Sequence, residues 1–349
     1  MKVIFRVDAS KWIGTGHVMR CLVLADELKK KQVEIMFACL PQQGDLIDLI
    51  NQKGYSLLKL SAVTKPITPR FDGDYAYWLQ RSVQEDAIDF LSNVQNADWV
   101  IVDHYALDYP WEKMIKDKLS CKILSIDDLN RNHHSDIILD QNIWPNISTR
   151  YKTFSKKKLL GPTYALLREN FAKLHREPIK QKNQVIAFFG GSDPTNECKK
   201  LFNAALKLQK FPFTLKIITG RQSENYKLIN KLNTSPNIEI FQYLDNFDEE
   251  LASSRYAIGA SGTSNWERFC LRIPSTIVAV AENQKELSSF LAEKKLVKSL
   301  GLGTQTTEQV YCKELKRLSK IWEQIKPFDL LDVDGLGSSR IIEEMESFI

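Results

Sequence analysis

Short apolar runs alternate with helical patterns along this chain, and past its middle the alternation begins a second time. In the first half, apolar runs typical of buried strands occupy residues 3–5, 35–40, 55–60, 99–102 and 123–126. Apolar residues at helical spacing fill the stretches between them, over residues 18–28, 46–50, 78–91 and 111–119. The second half follows the same scheme, with a helix over 196–208 and strands at 185–189, 215–218, 238–241, 257–259 and 276–280. Strands that alternate with helices predict an α/β protein made of two doubly wound units, each with a parallel sheet.

The length of 349 residues suits two such units better than one core. A polar, charged segment at 174–183, interrupted by Pro178, is the predicted linker, which gives domains at 1–174 and 184–349. Near the end of the chain, apolar residues at helical spacing over 311–325 and a final helix over 341–349 are expected to pack back across a cleft. Two units whose strand-end loops face one cleft predict a ligand between the domains.

Composition excludes several classes of protein. Basic residues exceed acidic ones by only five and are spread along the chain, which argues against a nucleic-acid partner. The six cysteines form no CxxC pair, which argues against a zinc site or a disulfide scaffold and favours a reducing cytoplasm. The first residues lead directly into a strand pattern without a signal peptide, and the apolar runs are too short to insert into a membrane. We therefore expect a cytoplasmic protein.

The first candidate motif is the loop between the first strand and the first helix, where Gly14 and Gly16 precede His17. Glycines permit a tight turn and a close approach to a ligand. The dinucleotide fingerprint is absent, because Met19 stands where a third glycine is required and no acidic residue closes the second strand. The loop therefore predicts a ligand-facing imidazole that acts as a general base. The alternative is that His17 simply begins a helix.

Two small-residue loops of the second half follow strands in the same way. Gly190 and Gly191 precede a helix and predict a backbone concavity for phosphate oxygens, although a turn in which Pro194 opens the helix explains them equally well. The run Ser261-Gly262-Thr263 leads into a helix that carries Glu267 in its first turn. A carboxylate there either accepts hydrogen bonds from ribose hydroxyls or is a favourable first-turn charge.

Other polar residues at strand ends and in loops have weaker interpretations. Asp103-His104-Tyr105 and Asp127-Asp128 follow strands of the first half, where carboxylates bind magnesium, orient a base or cap a loop. His133-His134 are expected at the surface rather than in a metal site, and His175 is expected to be exposed in the linker. The loop at 61–74 has no predicted role. No metal ligand is predicted.

Several stretches match one known family in their order along the chain, namely FRVDAS, IGTGHVMRCLVLA, VIVDHYALD, ILSIDDL, LLGPTYALLRENF, FFGGSDPTN and GASGTSNWER. They resemble the UDP-2,4-diacetamido-2,4,6-trideoxy-β-L-altropyranose hydrolases of pseudaminic acid biosynthesis. Together with AENQ after a later strand, the matching stretches span roughly residues 3–285. The resemblance implies a GT-B-like fold, as in MurG-type glycosyltransferases, with two Rossmann-type domains facing a central cleft. It also implies that the UDP-sugar is hydrolysed rather than transferred to an acceptor.

Carried over to this chain, the resemblance makes His17 the base that activates water and Tyr105 a second catalytic candidate. It places Glu267 on the uridine ribose and Asn283 beside the diphosphate or the sugar. The remaining residues expected to bind substrate are Gly14, Gly16, Asp103, Gly190, Gly191, Ser261, Gly262 and Thr263. The expected reaction releases UDP and free 2,4-diacetamido-2,4,6-trideoxy-L-altrose by attack at the anomeric carbon with inversion, in a monomer that needs no cofactor or metal. A glycosyltransferase, a sugar-nucleotide epimerase, a hydrolase of a related nonulosonic acid precursor and a non-catalytic binder remain alternatives.

Overall fold

The computed structural model describes residues 1–154, 156–177, 180–208, 210–221, 223, 225–328 and 331–348. The chain forms two compact units, of which the first comprises Met1–Leu167 with Leu336–Ile349 and the second comprises Arg168–Gly335. Both are α/β units with an all-parallel sheet, which confirms the predicted fold class.

The first unit contains a seven-stranded sheet in the order β3-β2-β1-β4-β5-β6-β7. Its strands are β1 (Lys2–Val7), β2 (Glu34–Cys39), β3 (Ser56–Lys59), β4 (Trp99–Asp103), β5 (Lys122–Ile126), β6 (Ile137–Asp140) and β7 (Lys157–Leu160). Its first four helices are α1 (Gly16–Lys29), α2 (Ile47–Gln52), α3 (Val83–Asn93) and α4 (Tyr109–Leu119). Every residue of β4 is buried, as expected for a strand in the middle of a sheet that is covered on both faces. The apolar residues of α1 that suggested a helix pack against one face of this sheet.

The helix predicted over 78–91 is two elements. A 3-10 turn over Tyr75–Leu79 ends at Gln80, whose φ of +63° is left-handed, and α3 begins after Ser82. The Ser82 hydroxyl accepts a hydrogen bond from the backbone N–H of Glu85, and the Glu85 carboxylate accepts one from the N–H of Ser82. This reciprocal cap fixes the start of α3 and separates the preceding turn from the helix.

The second unit contains a six-stranded sheet in the order β10-β9-β8-β11-β12-β13. Its strands are β8 (Lys182–Phe188), β9 (Thr214–Ile218), β10 (Ile238–Phe241), β11 (Ser254–Ala260), β12 (Ser275–Ala279) and β13 (Lys298–Leu302). Its helices are α5 (Glu169–Arg176), α6 (Glu197–Leu208), α7 (Asn225–Leu232), α8 (Phe247–Ala252), α9 (Ser264–Cys270), α10 (Lys285–Glu293) and α11 (Glu308–Ile321). Among the described residues, none of the helices combines the length and the apolar character needed to cross a bilayer.

The unit boundaries differ from the predicted domains of 1–174 and 184–349. The change of unit comes at Leu167, and α5 occupies the start of the predicted linker and belongs to the second unit; Pro178 lies outside the described residues. His175 of α5 is half-buried rather than exposed, because its Nδ1 lies 2.7 Å from the carbonyl oxygen of Cys270. The final helix, α12 (Gly337–Glu346), groups with the first unit, since Ile341 and Met345 are buried in the core beside α1.

Each sheet has one position where the chain reverses the direction in which it adds strands. In the first unit this position lies between β1 and β4, and in the second it lies between β8 and β11. Loops that leave such neighbouring strands diverge and open a crevice at the carboxyl edge, the usual ligand site of doubly wound sheets. The four loops that follow these strands contain most of the predicted site residues.

Candidate functional site

The loop after β1 folds back on itself before α1 begins. The carbonyl oxygen of Ser10 accepts a hydrogen bond from the N–H of Gly14 at 2.8 Å, and the Ser10 hydroxyl accepts one from the N–H of Ile13 at 3.2 Å. Gly14 has a φ of +75°, a left-handed conformation that glycine adopts without strain. This turn places His17 as the second residue of α1, at the carboxyl edge of the sheet.

His17 is held by the last residue of the neighbouring strand. Its Nδ1 lies 2.6 Å from Oδ1 of Asp103, which ends β4 and is fully buried. Arg20, one turn further along α1, donates from Nε to Oδ2 and from Nη2 to Oδ1 of the same carboxylate, each at 2.6 Å. The His17 side chain keeps 9% exposure, so its ring is oriented by buried partners and still reaches the surface.

The charge of Asp103 decides which ring nitrogen of His17 is the base. Burial alone raises the pKa of a carboxyl group, but the charges and hydrogen bonds of Arg20 and His17 outweigh it and hold the pKa of Asp103 well below its usual value. Asp103 is therefore ionised and only accepts hydrogen bonds, so Nδ1 of His17 carries a proton. In the neutral imidazole this leaves the lone pair on Nε2, which is the arrangement a general base requires.

Tyr105 lies beside this histidine, with its ring edge-on to His17 at a centroid distance of 4.7 Å. Burial, together with the charge and hydrogen bonding of Asp128, raises the pKa of the Tyr105 hydroxyl well above its ordinary value. Tyr105 is therefore a neutral hydroxyl at physiological pH. The two predicted catalytic residues thus lie in contact with each other.

His104, which lies between Asp103 and Tyr105 in the sequence, has a different environment from His17. It is buried, its Nδ1 accepts a hydrogen bond from the N–H of Ala106, and its Nε2 lies 3.5 Å from Asp8. Burial lowers the pKa of His104 to about 4, so the ring is neutral. Asp8 in turn pairs with the fully buried Arg6 at 2.6 Å. His104 therefore stabilises the end of the sheet and does not reach the surface.

Two further predictions for the first unit are corrected. His133 was expected at the surface but is buried, with its Nδ1 2.6 Å from Glu112 and its Nε2 3.6 Å from Asp127. Burial lowers the pKa of such a ring, but the two neighbouring carboxylates, Asp127 and Glu112, outweigh it and raise the pKa of His133 to about 9. Asp103, expected to contact substrate, has both oxygens engaged by His17 and Arg20. Within the described residues, no group of three or more acidic, histidine or cysteine side chains has the geometry of a metal site.

In the second unit, the loop after β8 exposes backbone amides. Gly190, Gly191 and Ser192 are half-buried, and no described residue accepts a hydrogen bond from their N–H groups. Gly220 packs against this loop from the end of β9, where a Cβ atom would lie 2.4 Å from the carbonyl oxygen of Gly191. Asp193 accepts hydrogen bonds from the first amides of α6, so the helix has its own cap and the loop amides before it stay available.

The helix that follows β11, α9, carries a carboxylate in its first turn that pairs with no described residue. Glu267 is half-buried and accepts no hydrogen bond from any described residue, and burial raises its pKa. Its neighbour Arg268 is buried and donates to the carbonyl oxygen of Ala260 at 2.8 Å, which fixes α9 to the strand end. The prediction for Ser261 is corrected, because this residue is fully buried, with its N–H bonded to Val278 and its hydroxyl to Asn265. Gly262 and Thr263 remain accessible.

Asn283 lies in a short 3-10 turn after β12 and is half-buried. The neighbouring Gln284 places its side-chain nitrogen next to Gly262, where an added Cβ would be 3.6 Å away. Since β11 and β12 are adjacent and parallel, this turn and the Gly262 loop lie at the same edge of the sheet. The structure therefore groups Gly262, Glu267 and Asn283 in one unit and His17, Asp103 and Tyr105 in the other.

Sequence reasoning missed Arg20, although its position three residues after His17 on a helix with an otherwise apolar buried face was an available indication. It also missed Trp78, whose ring lies 6.1 Å from that of His17. Trp78 is 61 positions away along the chain in a segment without a recognisable motif, so only the fold reveals this contact.

Known proteins include some that are similar to this chain in sequence and others that are similar to it in structure. A UDP-2,4-diacetamido-2,4,6-trideoxy-β-L-altropyranose hydrolase from Campylobacter jejuni is 30% identical over 299 residues, which cover 84% of this chain and 97% of that protein. The Bacillus subtilis spore coat polysaccharide biosynthesis protein SpsG is 20% identical over 312 residues, 87% of this chain and 85% of that protein. No protein-family model matches.

Among solved structures, MurG from Acinetobacter baumannii superposes on this chain with a TM-score of 0.61 at 13% identity, and the superposition covers 99% of both chains. A UDP-GlcNAc 2-epimerase from Neisseria meningitidis, bound to UDP-GlcNAc, gives the same TM-score at 13% identity, with 99% of this chain and 100% of that chain covered. At this level of identity the two structures establish the GT-B fold and nothing about the reaction.

Proposed function

The chain belongs to the family of UDP-2,4-diacetamido-2,4,6-trideoxy-β-L-altropyranose hydrolases, and from this premise we propose that it hydrolyses that UDP-sugar to UDP and the free diacetamido trideoxy sugar. The observation that carries the proposal is the hydrogen bond of His17 to Asp103, a carboxylate that Arg20 also binds, at the reversal point of the first sheet. A sugar-nucleotide binder without catalysis has no need for an imidazole held in one tautomer.

In the proposed mechanism, Nε2 of His17 takes a proton from a water molecule as the water oxygen attacks the anomeric carbon. The bond from that carbon to the UDP oxygen breaks at the same time, and UDP leaves with the bonding electron pair. Asp103 stabilises the imidazolium that forms, in the role that a carboxylate has behind many catalytic histidines. Because water enters opposite the leaving group, the configuration at the anomeric carbon inverts. Tyr105 is placed to contact the same water or the sugar.

The second unit is proposed to hold the nucleotide. The amides of Gly190, Gly191 and Gly262 offer hydrogen bonds to the diphosphate, whose charge increases as the sugar bond breaks. Glu267 is proposed to accept hydrogen bonds from the ribose hydroxyls, and Asn283 to contact the diphosphate or the sugar. Hydrolysis of this kind needs no cofactor. The isolated cysteines favour a cytoplasmic enzyme, and we propose that it acts as a monomer.

Glu267→Ala is expected to weaken UDP binding by about ten- to a hundredfold, because hydrogen bonds to a charged acceptor contribute about 1.5–3 kcal/mol. KM should rise more than kcat falls, since the ribose does not react. Calorimetric titration with UDP measures the effect directly. Glu293→Ala is the matched control, since Glu293 is an exposed carboxylate at the end of α10 in the same unit. If both variants bind UDP like the wild type, Glu267 is only a first-turn charge of α9.

Incubation of the purified protein with the UDP-sugar, without an acceptor, tests the activity itself. We expect UDP and free sugar in equal amounts, and we expect the rate to survive exhaustive EDTA treatment because backbone amides replace a metal at the diphosphate. An altered but intact UDP-sugar would identify an epimerase, and turnover only after an acceptor is added would identify a transferase. Activity that EDTA abolishes and magnesium restores would contradict the metal-free diphosphate site.

A further inference from the structure

The segment between β3 and α3 brings two aromatic rings, Tyr75 and Trp78, to the surroundings of His17. The Trp78 ring stacks on Tyr105 at a centroid distance of 5.3 Å and an interplanar angle of 24°, and it meets His17 edge-on at 6.1 Å. Tyr75 contacts the Trp78 ring at 4.8 Å and the Tyr105 ring at 4.9 Å. These three rings, Tyr75, Trp78 and Tyr105, form an aromatic wall beside His17.

The wall is fixed in place by polar contacts on both sides of Trp78. The side-chain nitrogen of Gln80 donates to the carbonyl oxygens of Ile67 and Tyr77, each at 2.7 Å, and its side-chain oxygen accepts from the N–H of Ile67 at 2.6 Å. Gln42 donates to the carbonyl oxygen of Trp78 at 3.1 Å. A turn anchored in this way holds the indole ring in one position, which is what a preorganised binding group requires.

Trp78 also has an unused hydrogen-bond donor. Other tryptophans of this unit, Trp111 and Trp144, donate from Nε1 to carboxylates at 3.0 and 2.8 Å. The indole N–H of Trp78 donates to no described residue. Unlike the unpartnered indole N–H groups of Trp99 and Trp322, it is not fully enclosed. Trp78 is 7% exposed. It thus combines a buried, fixed ring close to His17 with an indole N–H that no described residue accepts.

We propose that Trp78 determines substrate specificity by binding an N-acetyl group of the sugar, an inference that rests on the proposed function. An acetamido group joins an apolar methyl to a carbonyl oxygen that accepts a strong hydrogen bond. The aromatic wall matches the methyl group, and the indole N–H matches the oxygen. Small-molecule sites commonly combine apolar rings with a few placed polar groups in this way. The contact selects sugars that carry an acyl group on nitrogen over the corresponding free amines.

The test compares Trp78→Phe with the wild type on three substrates: the UDP-diacetamido sugar and its two analogues in which one nitrogen lacks the acetyl group. Phenylalanine keeps an apolar ring and removes the N–H. We expect kcat/KM for the diacetamido sugar to fall by about two- to tenfold, mainly through KM, as for the loss of one hydrogen bond. For one of the two analogues the variant and the wild type should be equal, because that analogue lacks the acceptor. Discrimination against that analogue should therefore shrink.

Equal losses on all three substrates, or no loss on any, would overturn the proposal. Wild-type enzyme that hydrolyses none of the three would instead refute the proposed function, so the two failures are distinguishable. Trp78→Leu, which removes the indole N–H and adds no other donor, must give the same loss of discrimination if Trp78→Phe proves unstable in thermal unfolding. Tyr77→Phe is the control, since Tyr77 precedes Trp78 in the same turn and its ring stacks with Arg70 rather than with the wall.

Discussion

His17→Asn is expected to lower kcat by at least about a hundredfold, the usual contribution of a general base. Asparagine has similar size at the base of the side chain and still hydrogen-bonds to Asp103, but it has no lone pair that takes a proton near neutral pH. UDP binding should be unchanged, because the groups proposed to hold the nucleotide all belong to the second unit. Steady-state kinetics with the UDP-sugar and calorimetry with UDP separate the two effects.

His134→Asn is the matched control for this variant. His134 is half-buried in the same unit, and its ring packs edge-on against Tyr109 at 5.0 Å, away from the contacts of His17. Its replacement should leave kcat unchanged. A folded His17→Asn enzyme with nearly normal turnover would show that the water is activated by another group, and the role assigned to Asp103 would then have no basis.

Asp103→Asn is expected to reduce kcat by about 10²- to 10⁴-fold, as for carboxylates that orient a catalytic histidine. The asparagine amide donates to Nδ1 of His17, which shifts the ring proton to Nε2 and removes the lone pair that faces the water. The change also leaves the buried Arg20 without its counter-ion, and breaking a buried ion pair costs about 3–5 kcal/mol of unfolding free energy.

Asp103→Asn therefore has two readouts, kcat and the free energy of unfolding in urea. Asp117→Asn serves as the control, because Asp117 is an exposed carboxylate on α4 that pairs with the exposed Lys113 and with no other described residue. If the Asp103 variant loses stability but keeps its kcat, the carboxylate supports Arg20 and the sheet and does not set the tautomer of His17. If kcat falls in a variant that stays folded, the proposed tautomer is supported.

The alternation of apolar runs was sufficient to predict two parallel sheets, because a strand buried on both faces needs a continuous apolar segment. Local patterns were less informative where a polar contact decides the boundary. The capping contacts of Ser82 divide the helix predicted over 78–91, and no apolar spacing reports them. The sequence also did not indicate to which unit α12 belongs, because an amphipathic pattern shows that a helix has an apolar face but not which core that face packs against. In the structure, Ile341 and Met345 of α12 pack beside α1, which assigns this helix to the first unit.

In the candidate site, too, local features could be predicted from the sequence and contacts between distant residues could not. The glycines before His17 and before the helices of the second unit were visible in the sequence because loop chemistry is local. The pairing of His17 with Asp103 joins residues 86 positions apart, and it follows only from the adjacency of β1 and β4. Burial of Asp103, His133 and Ser261 likewise depends on neighbours from distant strands, so these side chains looked accessible from the sequence alone.

Hydrolysis in ¹⁸O-labelled water tests the central claim most directly, namely that water held by His17 attacks the anomeric carbon. This histidine lies in the first unit, whereas the groups proposed to hold the diphosphate lie in the second. Mass spectrometry of the products should find the label in the released sugar and none in UDP. Label in the β-phosphate of UDP would mean that water attacks phosphorus and that the phosphorus–oxygen bond breaks, which would contradict the proposed mechanism.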